Sequence, residues 1–181
     1  MRFTAPVLYG AIAVMAVSLP ARAQRPYIFA GAGASFPVST FGDYAKTGWM
    51  AQAGVGVDVG TKGLWVEAEG WYGSNKHSDV VGDKTDIFSL LGAVGYSFMP
   101  EKKVTPYVLG GAGFLSHKFE PATGASATDT KFAYSGAAGL SFVASPTIHI
   151  FLEARYLGTS DSESRMVPVT AGVSIELGKK K

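Results

Sequence analysis

The 181-residue sequence has no cysteine, so neither a disulfide nor a thiolate metal site can hold its fold. Its three histidines, His77, His117 and His149, are scattered without the spacing of metal ligands, and no cofactor is expected. It has almost no helical signal: no capping box leads into an apolar 3.6-residue period. Past residue 23 there is no uninterrupted apolar stretch of ~18 residues, so no membrane-spanning helix is expected there. Nor is there a basic excess. Residues 24–181 carry 14 Lys and Arg against 14 Asp and Glu, which argues against nucleic acid as a partner.

What is present begins with export. Arg2 precedes an apolar run over 7–17, broken by Gly10, and Pro20 and Ala21-Arg22-Ala23 follow. This pattern predicts a cleavable Sec-type signal peptide over 1–23, leaving one domain over 24–181. Within that domain, eight segments alternate apolar and polar residues with period two, near 26–36, 47–59, 64–73, 86–98, 105–116, 131–143, 148–158 and 165–177. The connections 60–63, 99–104 and 144–147 are short; 37–46, 74–85, 117–130 and 159–164 are longer and more polar. Short turns on one side and long loops on the other fit an eight-stranded antiparallel up-and-down barrel crossing a bilayer. An internal repeat sets the register: Gly56, Gly95, Gly139 and Gly172 each open a run of Gly, apolar, Ser or Asp, apolar in an even-numbered strand.

The lysines decide which face is outside. All 11 fall in predicted loops, turns, strand edges or the C-terminal tail. A water-facing sheet carries lysine along its strands, whereas at the centre of a lipid face one lysine costs ~2–4 kcal/mol. The uncharged face holds Val55, Val57, Phe88, Leu90, Val94, Ile150, Leu152, Val169 and Val173, and is expected to meet lipid. Aromatics near strand ends, Tyr27, Trp49, Tyr72, Tyr96, Phe98, Tyr107, Phe132, Tyr134, Phe142 and Tyr156, are expected to form interfacial girdles. The other face is small and polar, including Gly33, Ser35, Gln52, Asp58, Ser135 and Thr170, and is expected to fill a lumen too narrow for an open pore.

Thr105-Pro106-Tyr107-Val108, the run 136–142 and Glu153-Ala154-Arg155-Tyr156 occur in order along this pattern. On these the chain resembles the outer-membrane β-barrel domain family, the OmpA- and OmpX-like barrels, over essentially all of 24–181. The resemblance implies a bacterial outer-membrane location, outer-membrane lipid as surroundings, and the barrel-assembly machinery as a partner during biogenesis. Thr170, Gly172, Ile175 and Leu177 occupy the positions of that machinery's terminal-strand signal. The sequence departs from the family by continuing past Leu177 as Gly178-Lys179-Lys180-Lys181 instead of stopping at an aromatic.

Ionisable residues on a membrane-spanning segment mark a candidate site. Glu67, Glu69, Glu153 and Arg155 share the inward face, with His149, and are expected to form a structural ion network across the lumen. No catalytic residues are assigned. A lipid-acting hydrolase would need a serine, a histidine and an acid within reach of one another, and the residues two after the histidines are Asp79, Phe119 and Phe151. Asp79, Asp83 and Asp86 read as a solvated acidic loop more than as a calcium site. The expected function is therefore that of an integral outer-membrane protein, a monomer, acting in adhesion or envelope integrity and meeting host or surface ligands through its long loops. Two alternatives stand beside it: a soluble lipocalin-like carrier of an apolar ligand, and an enzyme that modifies lipid A.

Overall fold

The computed structural model describes residues 25–59, 62–77, 83–121, 125–161 and 164–177. The segment 1–23, Asp79 and the 178–181 tail lie outside them. Eight antiparallel strands follow one another around a closed barrel: β1 (Pro26–Pro37), β2 (Gly48–Asp58), β3 (Leu64–Lys76), β4 (Lys84–Ser97), β5 (Val104–Glu120), β6 (Ala127–Val143), β7 (Ile148–Thr159) and β8 (Arg165–Glu176). β8 pairs back onto β1, with Ala32 opposite Ala171, so no strand edge is left open.

The period-two alternation makes these segments strands, because it gives each a continuous apolar face and a continuous inward face. Outward-pointing Ile28, Val55, Leu90, Val94, Ile150, Leu152 and Val173 stay exposed, so the barrel's outside is an apolar belt. Polar exteriors hold a soluble protein in water; this one requires a hydrocarbon solvent. Trp49 meets Tyr72 across β2 and β3 at 5.6 Å, and Tyr96 meets Phe98 at 5.2 Å, both edge-on at the two rims of the belt.

The structure changes the reading in three places. Tyr27 and Tyr107 belong to the inward face, buried or nearly so, and are not girdle residues. Two of the expected long loops are partly strand: β3 and β4 extend to Lys76 and Lys84, and β5 and β6 to Glu120 and Ala127. Residues 38–47 hold a short helix, α1 (Thr40–Tyr44), where a plain polar loop is expected. Ser39, with φ of 56°, turns the chain into α1, and Phe41 and Ala45, one helical turn apart, enter the barrel mouth.

Candidate functional site

The interior divides along the barrel axis. Toward the long-connection end, Met50, Trp71, Ile87, Leu91, Leu115, Leu157 and Met166 project from the wall and pack with Phe41 and Ala45 into an apolar plug. The expectation of a small, polar interior is thus wrong for this half. α1 is tied down by polar contacts as well. Asn75, fully buried on β3, donates from Nδ2 to the Lys46 carbonyl at 2.9 Å, and Ala45 forms a bridge with His77.

Below the plug lie the four charged residues. β7 sends Glu153 and Arg155 inward two residues apart, and β3, across the lumen, sends Glu67 and Glu69. All four are buried. The Arg155 guanidinium donates from Nε to Glu153 Oε1 at 2.9 Å and contacts Glu69 Oε1 through one terminal nitrogen. Its other terminal nitrogen stands 3.9 Å from Glu67. The Trp71 ring of the plug lies against it, 4.7 Å from ring centroid to guanidinium carbon, so the plug and the ionic layer share a cation–π contact. Two phenols complete the shell: Tyr27 donates to Glu67 at 3.2 Å and Tyr107 to Glu153 at 3.0 Å. The geometry suits a charged group held out of water, since each carboxylate has a partner and the arginine bridges both sides of the barrel.

From this layer to the short-turn end runs an open cavity of about 610 Å³. Its walls explain the sequence repeat. Tyr27 stands directly opposite Gly56, Trp65 opposite Gly95, Tyr107 opposite Gly139 and Phe151 opposite Gly172. A Cβ added at those glycines would stand 2.2, 2.1, 2.4 and 2.4 Å from an atom of the facing ring. Each repeat glycine is therefore the bed on which an aromatic side chain of the preceding strand rests. At the cavity mouth Arg25 pairs with Asp58 at 3.2 Å and Glu176 at 3.7 Å. His149 lies here, 3.8 Å from Glu176, and not in the Arg155 cluster.

At the opposite end the strands project past the belt. Outward-facing Phe114 on β5 is followed by Ser116, Lys118 and Glu120, and the equivalent edge of β4 carries Asp86 and Lys84. Lys84 bridges Asp86 at 2.9 Å and Glu120 at 2.8 Å, and Lys118 reaches Glu120 at 2.5 Å. Those two ammonium groups hold the Glu120 carboxyl down to about 2. His77 stacks on Phe119 at 5.1 Å and accepts or donates with Thr85 at 2.8 Å. His117 lies in β5, not in a loop, and its Nδ1 is 3.1 Å from Ser164 Oγ. Sequence spacing hides this serine–histidine pair because the two are 47 residues apart. Among the described residues His117 has no carboxylate partner, and no group of acids and histidines is arranged to hold a metal. Thr170 accepts from Gln52 at 2.9 Å inside the barrel; Gly172 also faces inward, while Ile175 and Leu177 point out.

A closed eight-stranded antiparallel barrel with an apolar belt, aromatic rims and a buried ionic layer in its lumen defines a bacterial outer-membrane protein. Comparison with family models agrees: residues 9–177 match the outer membrane protein beta-barrel domain, and the chain belongs to that family. Neisserial surface protein A has the same fold, with a TM-score of 0.70 at 17% identity over 84% of this chain and 97% of that one. Ail, the attachment invasion locus protein of Yersinia pestis, solved in complex with the heparin analogue sucrose octasulfate, gives 0.58 at 17% identity over 86% and 99%. The N-terminal barrel domain of Pseudomonas aeruginosa OprF gives 0.52 at 15% identity over 85% and 98%. No curated protein matches the chain significantly by sequence. The protein resides in the outer membrane, which sets aside the soluble-carrier alternative.

Proposed function

We propose that the protein is a monomeric, non-catalytic outer-membrane anchor whose projecting hairpins form a contact surface for ligands or surfaces outside the cell. The observation that carries this reading is the height of the wall. β5 continues six residues past its last outward aromatic, Phe114, whereas β1 ends one residue past Phe36, so one side of the barrel stands clear of the membrane. Its outward side chains there are hydroxyls and paired charges, a surface suited to recognition by hydrogen bonding. Ail's sulfated ligand supports an extracellular contact role in this fold. A polyanion is not the implied ligand here, because the rim's cations are matched by acids, as in the Lys84, Asp86 and Glu120 bridge.

In this reading Glu67, Glu69, Glu153 and Arg155 act structurally: with the plug above them they close the lumen, so the barrel anchors and does not conduct. Segment 1–23 directs export, and Thr170, Gly172, Ile175 and Leu177 form the signal that the assembly machinery reads. The test is to replace residues 117–129 by a two-residue turn and measure attachment of intact cells to host matrix and to abiotic surfaces. Loss of attachment at unchanged barrel level in the membrane fraction supports the proposal. Unchanged attachment to every surface that the parent strain binds refutes it.

A further inference from the structure

The cavity at the short-turn end, which opens to the periplasm, is accounted for neither by anchoring nor by a contact surface on the other side. Four rings, Tyr27, Trp65, Tyr107 and Phe151, one from each hairpin, line it at comparable depth because each rests on a repeat glycine of the next strand. Two buried carboxylates, Glu67 and Glu153, form its inner end. The buried cluster is short of positive charge, since three glutamates share one arginine among the described residues. Arg155 bonds Glu153 and Glu69 closely and reaches Glu67 only at 3.9 Å, and the terminal nitrogen facing Glu67 makes no hydrogen bond. Arg25, Lys62, Lys102 and Lys103 also line the cavity at its mouth, where Arg25 is paired with Asp58 and Glu176 and Lys62 with Glu101. Below them, aromatic walls ending in carboxylates are the arrangement that attracts an alkylammonium group, through the negative ring faces and the acids together.

We propose that this periplasmic cavity binds a small organic ammonium, its cationic head caged by the four rings and directed at Glu67. A hydrated metal ion fits less well, because at the inner end only Glu67 and Glu153 offer carboxylates, while Asp58 and Glu176 stand at the mouth, paired with Arg25. The source of the ammonium is either a free amine of the periplasm or the headgroup of an inner-leaflet lipid; both present the same chemistry.

The test uses the full chain folded in a nonionic glycoside detergent, with choline chloride and 1,4-diaminobutane as soluble probes and sodium chloride at matched ionic strength as the reference. The indole N–H resonance of Trp65 is followed by NMR. A saturable shift with either ammonium and none with sodium supports the proposal. Glu67→Gln should weaken binding on the order of tenfold, the size of one lost charge-assisted contact. Ser141→Phe, which narrows the cavity and leaves every carboxylate in place, should abolish binding while heat-modifiable gel mobility shows the barrel intact. Repeating the titration in nanodiscs of a phospholipid with an ethanolamine headgroup separates the sources: a Trp65 signal already shifted without probe assigns the lipid, an unshifted one that still responds assigns the free amine. Equal shifts with sodium and ammonium, or undiminished binding in Ser141→Phe, overturn the proposal.

Discussion

The two halves of the lumen solve the same packing problem differently. The extracellular half is filled by large apolar side chains and by Phe41 from a loop folded back into the mouth. The periplasmic half is walled by rings laid on glycines and keeps an open cavity. In the first, stability comes from filling volume; in the second, from interlocking neighbouring strands while leaving the centre empty. The arginine layer is the seam between them, bonded to carboxylates and resting on Trp71 of the plug.

The largest way to break this contrast is at the seam. Arg155→Ala leaves Glu67, Glu69 and Glu153 buried without a cation, and should cost about 3–5 kcal/mol. Urea unfolding in detergent, followed by gel mobility of unheated samples, measures it; a loss under about 1 kcal/mol contradicts a locking role. Phe41→Ala should cost about 3 kcal/mol by emptying the plug. Amide exchange should then rise in α1 and at the extracellular ends of β2 and β3, with the repeat glycines unaffected. Gly95→Ala probes the other half: its methyl group would meet the Trp65 ring, costing about 1–3 kcal/mol, and the Trp65 indole signal should move as its bond to Ser97 Oγ is displaced. The smallest effect lies outside both halves. Glu120 is held down to about 2 when folded against an ordinary value near 4.5. Its rim bonds therefore contribute above about pH 4.5 and fade as the pH falls toward 2. Glu120→Gln should remove that acid sensitivity from the opening of the β5–β6 tip, read by amide exchange, with the barrel melting unchanged because these partly exposed rim bridges lie outside the barrel's packed interior.

Strand number, order and facing were legible because a bilayer barrel imposes one rule along every strand: apolar out, small or polar in. The inward Glu67, Glu69, Glu153 and Arg155 could be named for the same reason, and the barrel brings them together. The plug was not legible. Phe41 and Ala45 show one helical turn of spacing inside a ten-residue polar connection, too short a pattern to separate from a surface loop. Tyr27 and Tyr107 sit near strand ends, where interfacial aromatics also sit, and only parity distinguishes them. The signal that would have found them was in hand: each is the cross-strand partner of a repeat glycine. The Ser164–His117 pair depends on where the connection before β8 meets β5, which no spacing rule reaches.

The unequal strand heights have a consequence for encounter. A barrel with a level rim offers an approaching surface a ring of roughly equal points. Here the crest formed by β5 and β6 arrives first, and the low side by β1, β2 and β8 stays recessed. Rotation of the molecule about the membrane normal therefore decides which residues touch first, and a neighbour crowded against the low side leaves the crest free.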